Sequence, residues 1–429
     1  MRRKKLLLFM TWMLFAGVTA CGTAPENIQE TVAETPEEEK EPEPTEEELA
    51  AARREETVVP LLQEAAELIK GYYYDEALKL LEEVPEEFAE DEEVTAAAAA
   101  CTEGLQSFAP YDQPVRHIFF HSLIVDTSLA FDGDHMSNGY NYWMTTMEEF
   151  RAILEELYAN NYILIDIHDL CTEETDEEGN VTLTAAQPLV PEGKIPLVLS
   201  VDDVSYYDYM EHDGFSKRLI LDENGDVKNL YIKEDGTEEI GDYDVMPILD
   251  SFVKEHPDFS LRGAKGIIAA TGYEGTLGYR VNDPESPTLE ADREAVRAVA
   301  SRLKETGWLF ASHGYGHRHT ADISYNSLVE DTTRWKEEIA SLVGDTDLYI
   351  YPYGEEIDYP SQKLTYLQSE GFRYFCGVWA AKPFVSVKDT YVRQTRCNLD
   401  GFTMIRRPES VADLIDASRV LDPSRPELE

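Results

Sequence analysis

Ile195-Pro-Leu-Val-Leu-Ser200-Val201-Asp202-Asp203 is an apolar run that stops on two adjacent carboxylates. A continuous apolar stretch of this length suits a strand buried on both faces, as in parallel sheets whose crossovers are helical. Further short runs of the same kind lie outward from it, at 117–121, 163–167, 266–271, 308–312, 348–352, 372–377 and 391–396. Helical periodicity fills gaps between them at 146–159, 291–305, 327–342 and 361–369. Gly307 and Gly371 follow two of these helices, where a left-handed residue is wanted. The alternation predicts an α/β fold, a distorted (β/α) barrel of seven or eight parallel strands over residues 111–420. Residues at about 205–257 interrupt it and read as an insertion over the barrel mouth, with Asn224-Gly225 as a hairpin turn.

Upstream, the chain changes character three times. Arg2-Arg3-Lys4-Lys5 and the apolar stretch from Leu6 to Ala16 read as an export signal, too short to span a membrane comfortably. Val18-Thr19-Ala20-Cys21 resembles a lipobox, so residues 1–21 are expected to be a lipoprotein signal peptide, with Cys21 the acylated N-terminus of the mature chain. That places the protein outside the cytoplasm of a bacterium, held to the cell membrane by lipid alone. Residues 22–56 are rich in Glu, Pro and Thr and read as a disordered acidic linker. Residues 57–110 carry three helical runs, and Gly71-Tyr-Tyr-Tyr-Asp-Glu-Ala-Leu is similar to part of a tetratricopeptide repeat. One to one and a half repeats predict a small all-α cap rather than an array.

With 85 acidic against 37 basic residues the formal net charge is -48, which repels nucleic acid and argues against it as a partner. Cys101, Cys171, Cys376 and Cys397 show no metal-ligand spacing. Cys376 and Cys397 fall on neighbouring predicted strands, as a bridge or as buried free thiols.

The loops after the strands' C-terminal ends build the active site of a parallel barrel. Asp202 and Asp203, the segment Ser312-His313-Gly314-Tyr315-Gly316-His317, and Tyr353 all fall at such ends, and His121 ends the first strand. Two histidines four apart around two glycines can reach one ion from a tight turn. One aspartate and two histidines leave coordination positions open for water and substrate, and a second aspartate beside them can act as base. Side chains of adjacent strand residues point apart, which suits the two aspartates to different tasks.

Residues from about 117 to 407 resemble the NodB-type polysaccharide deacetylases, which remove acetyl groups from N-acetylated sugars with the help of a metal. The resemblance rests on Ser200-Val201-Asp202-Asp203, on His313 and His317, and on Ile350-Tyr351-Pro352-Tyr353-Gly354, in the family's order. It implies Asp202 as general base, and Asp203, His313 and His317 as ligands of one divalent metal, zinc first among them. It also implies that the Tyr353 backbone N–H stabilises an oxyanion. Ile350 stands where the family often has an arginine that orients the base, and the late strand Arg393-Gln-Thr-Arg-Cys-Asn-Leu-Asp-Gly lacks the histidine that serves many members as general acid. His121 or His319 is then expected to supply the proton. Trp379 is the aromatic expected to contact sugar. Cell-wall glycan or exopolysaccharide is the expected partner. A glycan-binding lipoprotein without catalysis, an O-acetyl esterase, and an assembly scaffold built on the helical segment are the competing readings.

Overall fold

The computed structural model describes residues 44–379 and 382–428. The expected signal segment, Cys21 and most of the acidic linker lie outside the described residues. The chain divides into two units between Ala51 and Ala52. In the first, Thr45 and Glu48 cap one another reciprocally: Glu48 takes the Thr45 N–H at 2.7 Å, and Thr45 Oγ1 takes the Glu48 N–H at 3.2 Å. The helix they open, Glu46–Thr57, runs through a stretch expected to be linker. Three acidic residues in its first turn favour the helix dipole, and Arg54 near its end bonds Asp91 at 2.6 Å.

The expected helical segment forms as Val59–Lys70, Tyr74–Leu81 and Glu92–Gln106, packed around Ala65, Ala77, Leu81, Val94 and Cys101. The left-handed residue between the first two is Tyr72 (φ +66°), whereas Gly71 keeps φ -93°. Tyr72 can bear that conformation because its ring is buried against the barrel and its hydroxyl donates to Asp258 O at 3.2 Å.

Eight parallel strands follow: β1 (Arg116–Phe120), β2 (Tyr162–Leu164), β3 (Ile195–Asp202), β4 (Ile267–Ala270), β5 (Leu309–Ser312), β6 (Leu348–Ile350), β7 (Tyr374–Val378) and β8 (Tyr391–Asn398). Seven of them close a barrel in the order β4-β5-β6-β7-β8-β1-β3 and back to β4. The eighth, β2, shares an edge of β3: Ile195–Leu197 pair with β2, and Ser200–Asp202 pair with β4. A single long strand thus serves two neighbours in succession, which distorts the barrel.

Pleat alternation sorts the side chains. Leu197, Leu199 and Val201 of β3 join Ile118, Phe120, Ile268 and Phe310 in the layer beneath the helices. Val198 joins Ile267, Ala269, Ala311, Ile350 and Cys376 in a separate cluster that fills the barrel. Cys376 belongs to the inner cluster and Cys397 to the outer one, so the two thiols face different layers although their strands are paired. All four cysteines among the described residues are buried and free.

The expected helices form as Met147–Ala159, Leu289–Glu305, Tyr325–Arg334 and Gln362–Ser369. Thr146 and Glu149 make a capping box on the first, and Gly307 and Gly371 take left-handed φ near +100°. The third continues through a π-helical turn at Trp335–Ala340, where the Trp335 indole N–H donates to Ala270 O of β4 at 2.7 Å. The insertion departs from expectation. Its antiparallel sheet (Arg218–Leu221, Val227–Ile232, Glu238–Gly241) packs against helices Val245–Glu255 and Leu289–Glu305 rather than roofing the mouth. Leu219 and Val227 give it an apolar face that only the helical layer can bury. The turn at Asn224-Gly225 joins its first two strands as expected.

Candidate active site

Asp202 ends β3 facing the barrel interior and is 3% exposed. By alternation Asp203 would point to the outer layer. Its backbone instead adopts φ +57°, a conformation costly for a residue with a Cβ, and the turn brings its carboxylate round to the mouth. The two adjacent aspartates therefore serve one site from different directions.

His313 follows β5, and its N–H donates to Ala270 O at 3.0 Å. Gly314 (φ +66°) and then His317 (φ +46°) reverse the chain so that the two imidazole centroids lie 4.9 Å apart. Asp331, buried on helix Tyr325–Arg334, accepts the N–H of Tyr315 at 2.7 Å and of Gly316 at 2.9 Å, which fixes that reversal. His313 Nδ1 donates to Ile350 O at 2.8 Å, so Nε2 carries the lone pair that faces the cluster.

Asp203 Oδ1 lies 3.6 Å from His317 Nε2 and 3.9 Å from His313 Nε2. Ligand atoms held tetrahedrally at about 2.0–2.2 Å from one ion are about 3.4 Å apart, so this set fits a small divalent cation. Burial pushes the His313 imidazole down to about 4 in spite of the two aspartates, which keeps it neutral and able to ligate. The Tyr207 hydroxyl donates to Asp203 Oδ1 at 2.9 Å and orients that carboxylate.

Asp202 has a partner that sequence reading missed. Arg396 on β8 is 1% exposed and grips Asp202 with both arms, Nη1 to Oδ1 at 2.7 Å and Nη2 to Oδ2 at 2.9 Å. An arginine is thus present beside the aspartate although Ile350 occupies the position where one was expected. The usable signal was parity: Val392, Gln394 and Arg396 are alternate residues of a buried strand, and a buried guanidinium needs a carboxylate. Beneath it, Arg396 also donates to Ser200 Oγ at 3.1 Å, and His117 spans Ser200 Oγ and Gln394 Oε1 at 2.9 and 3.0 Å. His117 is 1% exposed, and burial pushes its imidazole down to about 3. Burial alone would raise the Asp202 pKa, but the charge and hydrogen bonds of Arg396 outweigh it and hold the carboxyl at about 2.

His121, just past β1, has a buried Nδ1 with no hydrogen-bond partner among the described residues. His319 lies apart: half-exposed, it bonds Glu355 at 2.7 Å and stacks on Tyr353 at 3.9 Å. Tyr353 (φ +60°) sits with its ring 4.5 Å from that of His317. Tyr207, Tyr209 and Tyr273 form a second aromatic stack, with centroid separations of 5.3 and 5.4 Å. Trp379 is 57% exposed on the rim, with its N–H on Arg396 O at 3.0 Å.

Residues 279–375 match the family model described as polysaccharide deacetylase. That span contains His313, His317 and Tyr353 but neither aspartate nor Arg396. No curated protein matches the chain. Among solved structures, the chain is similar to the Streptococcus pyogenes deacetylase PplD in complex with acetate, at 12% identity and TM-score 0.39, over 71% of this chain and 99% of that one. It is also similar to the Bacillus anthracis polysaccharide-deacetylase-like protein BA0330, at 12% identity and TM-score 0.37, over 71% of this chain and 69% of that one.

Proposed function

We propose that this chain is a metal-dependent hydrolase that removes acetyl groups from N-acetylated glycan of the bacterial cell envelope, tethered to the membrane through an acylated Cys21. The observation that carries the reading is the convergence of Asp203, His313 and His317 on one point beside a buried, arginine-clamped Asp202. The match of residues 279–375 to the deacetylase family model supports it.

Asp203, His313 and His317 would hold the cation; their one-oxygen, two-nitrogen donor set suits zinc. Such an ion, when bound, polarises a carbonyl and acidifies water. Asp202 accepts the proton of the attacking water. Its low pKa keeps it ionised at neutral pH, and Arg396 fixes the direction of its free lone pairs. The Tyr353 N–H, turned by the left-handed backbone, meets the oxyanion as the amide carbon becomes tetrahedral. His121 returns a proton to the departing amine, and acetate leaves.

Acetate release from N-acetylglucosamine oligomers, measured before and after chelation and again after a divalent metal is restored, tests the proposal. Release should stop with chelator and return with metal, and Asp202→Asn should bind metal normally while losing about 10²-fold or more in rate. A chelator-insensitive rate, or a fully active Asp202→Asn enzyme, would sink it.

A further inference from the structure

His117 is a buried imidazole to which the proposed reaction gives no part. It stands on β1, which pairs with β8 on one side and with β3 on the other. β8 carries Gln394 and Arg396, and β3 carries Ser200 and Asp202. All five residues are at most 3% exposed, so their polar atoms must find most of their hydrogen bonds within the protein.

The direction of each bond in this group follows from one backbone carbonyl. Val115 O can only accept, and it takes the Gln394 amide N–H at 3.2 Å. The Gln394 side-chain oxygen therefore faces His117 Nδ1, 3.0 Å away, and requires a proton there. Burial keeps the ring neutral, so Nε2 retains a lone pair and takes the Ser200 hydroxyl proton at 2.9 Å. The Ser200 oxygen then turns only lone pairs toward Arg396, whose Nη1 donates to it at 3.1 Å. The opposite tautomer would set the Nδ1 lone pair against the Gln394 oxygen. It would also place two donors on the serine oxygen and leave the serine proton no acceptor between them.

The Ser200 bond decides how Arg396 meets Asp202. One Nη1 hydrogen goes to Asp202 Oδ1 at 2.7 Å and the other to Ser200, while Nη2 donates to Asp202 Oδ2 at 2.9 Å. The Phe119 ring lies 4.2 Å from the guanidinium carbon and restrains the plane of the fork. Ser200 restrains rotation within that plane, so both arms stay on the carboxylate. A fork free to rotate would hold Asp202 by one arm, and the carboxylate's remaining lone pairs would lose their aim.

We infer that His117, as its Nδ1–H tautomer, and Gln394 are positioning residues: they turn the Ser200 proton away from Arg396, so that Ser200 locks the two-armed grip on Asp202. The inference rests on the reading of Asp202 as the base. The side-chain bonds of His117 and Gln394 run to each other, to Ser200 and to Val115, so metal affinity should not depend on either residue.

Nitrogen-15 NMR of the intact wild-type protein, with only its histidines labelled, reads the tautomer: Nδ1 of His117 should carry the proton and Nε2 should not. Variants test the role. His117→Leu removes the acceptor of the serine proton, and His117→Gln restores one near the place of Nε2. His117→Leu and Gln394→Leu should each lower kcat about ten-fold or more, with KM and divalent-metal affinity nearly unchanged. His117→Gln should recover most of that rate, whatever its melting temperature. A proton on Nε2 in the wild type, or equal kcat in His117→Leu and His117→Gln, overturns the positioning role, while acetate release by the wild type leaves the deacetylase standing. A wild type that releases no acetate overturns the two together.

Discussion

Arg396 reaches across the barrel from β8 and closes both its arms on Asp202, with the two side chains 1% and 4% exposed. A buried carboxylate left without its partner would be driven toward its neutral form, so the pair is what keeps Asp202 charged. Because the folded pKa lies below the ordinary value of 3.8, the stability it contributes is complete above about pH 4 and is lost as pH falls through about 2.

Arg396→Ala should therefore destabilise the fold by about 3–5 kcal/mol and move the acidic limb of the pH–rate profile upward, because burial then dominates Asp202. Arg396→Lys keeps a charge but loses the fork, and should recover stability more than rate. Chemical denaturation paired with a pH profile separates these effects. An unmoved acidic limb in Arg396→Ala would remove Arg396 from its role.

In the proposed metal site, Tyr207 positions Asp203 through its hydroxyl, which donates to Asp203 Oδ1 at 2.9 Å. Tyr207→Phe should weaken divalent-metal affinity about 10- to 100-fold and leave the melting temperature nearly unchanged. Equilibrium dialysis reads the first and calorimetry the second. Unaltered affinity would mean that the hydrogen bond does not orient Asp203.

In the proposed reaction, His121 matters only where the leaving group needs a proton. His121→Asn should slow acetate release from an amide about 10²-fold or more, yet change little for an aryl acetate, whose phenolate departs unaided. Equal losses on both substrates would point to binding or folding instead.

His168 lies far from this chemistry, between Asp166 at 2.6 Å and Asp347 at 3.2 Å. Burial opposes its charge, but the two aspartates outweigh it and lift the imidazole to about 10. With the folded pKa above the ordinary 6.5, the stabilisation is complete below about pH 6.5 and fades as pH rises through about 10. The melting-temperature gap between wild type and His168→Asn should thus narrow as pH is raised from about 6 to about 10. A gap that stays constant would show that His168 contributes packing alone.

The strands of the barrel were legible because apolar continuity and helical periodicity are local. All eight predicted runs formed strands, and each miss has a physical reason. The insertion's sheet was assigned to the mouth because its hairpin turn is visible in sequence whereas the surface that buries Leu219 and Val227 is not. Glu46–Thr57 was read as linker on composition, although a capping pair at Thr45 and Glu48 was present to be read.

Residue order alone picked out groups that meet at the barrel mouth: Asp202, Asp203, His313 and His317 end apolar runs, and a parallel barrel delivers strand ends to one face. Folding decided how those groups are tuned. Arg396 lies 194 residues from Asp202, Asp331 lies 15 and 16 from the loop N–H groups it holds, and the turn at Asp203 depends on a strained φ that no local pattern announces. Contacts between distant strands follow from barrel closure and pleat parity, which become physical only when the sheet meets its own edge.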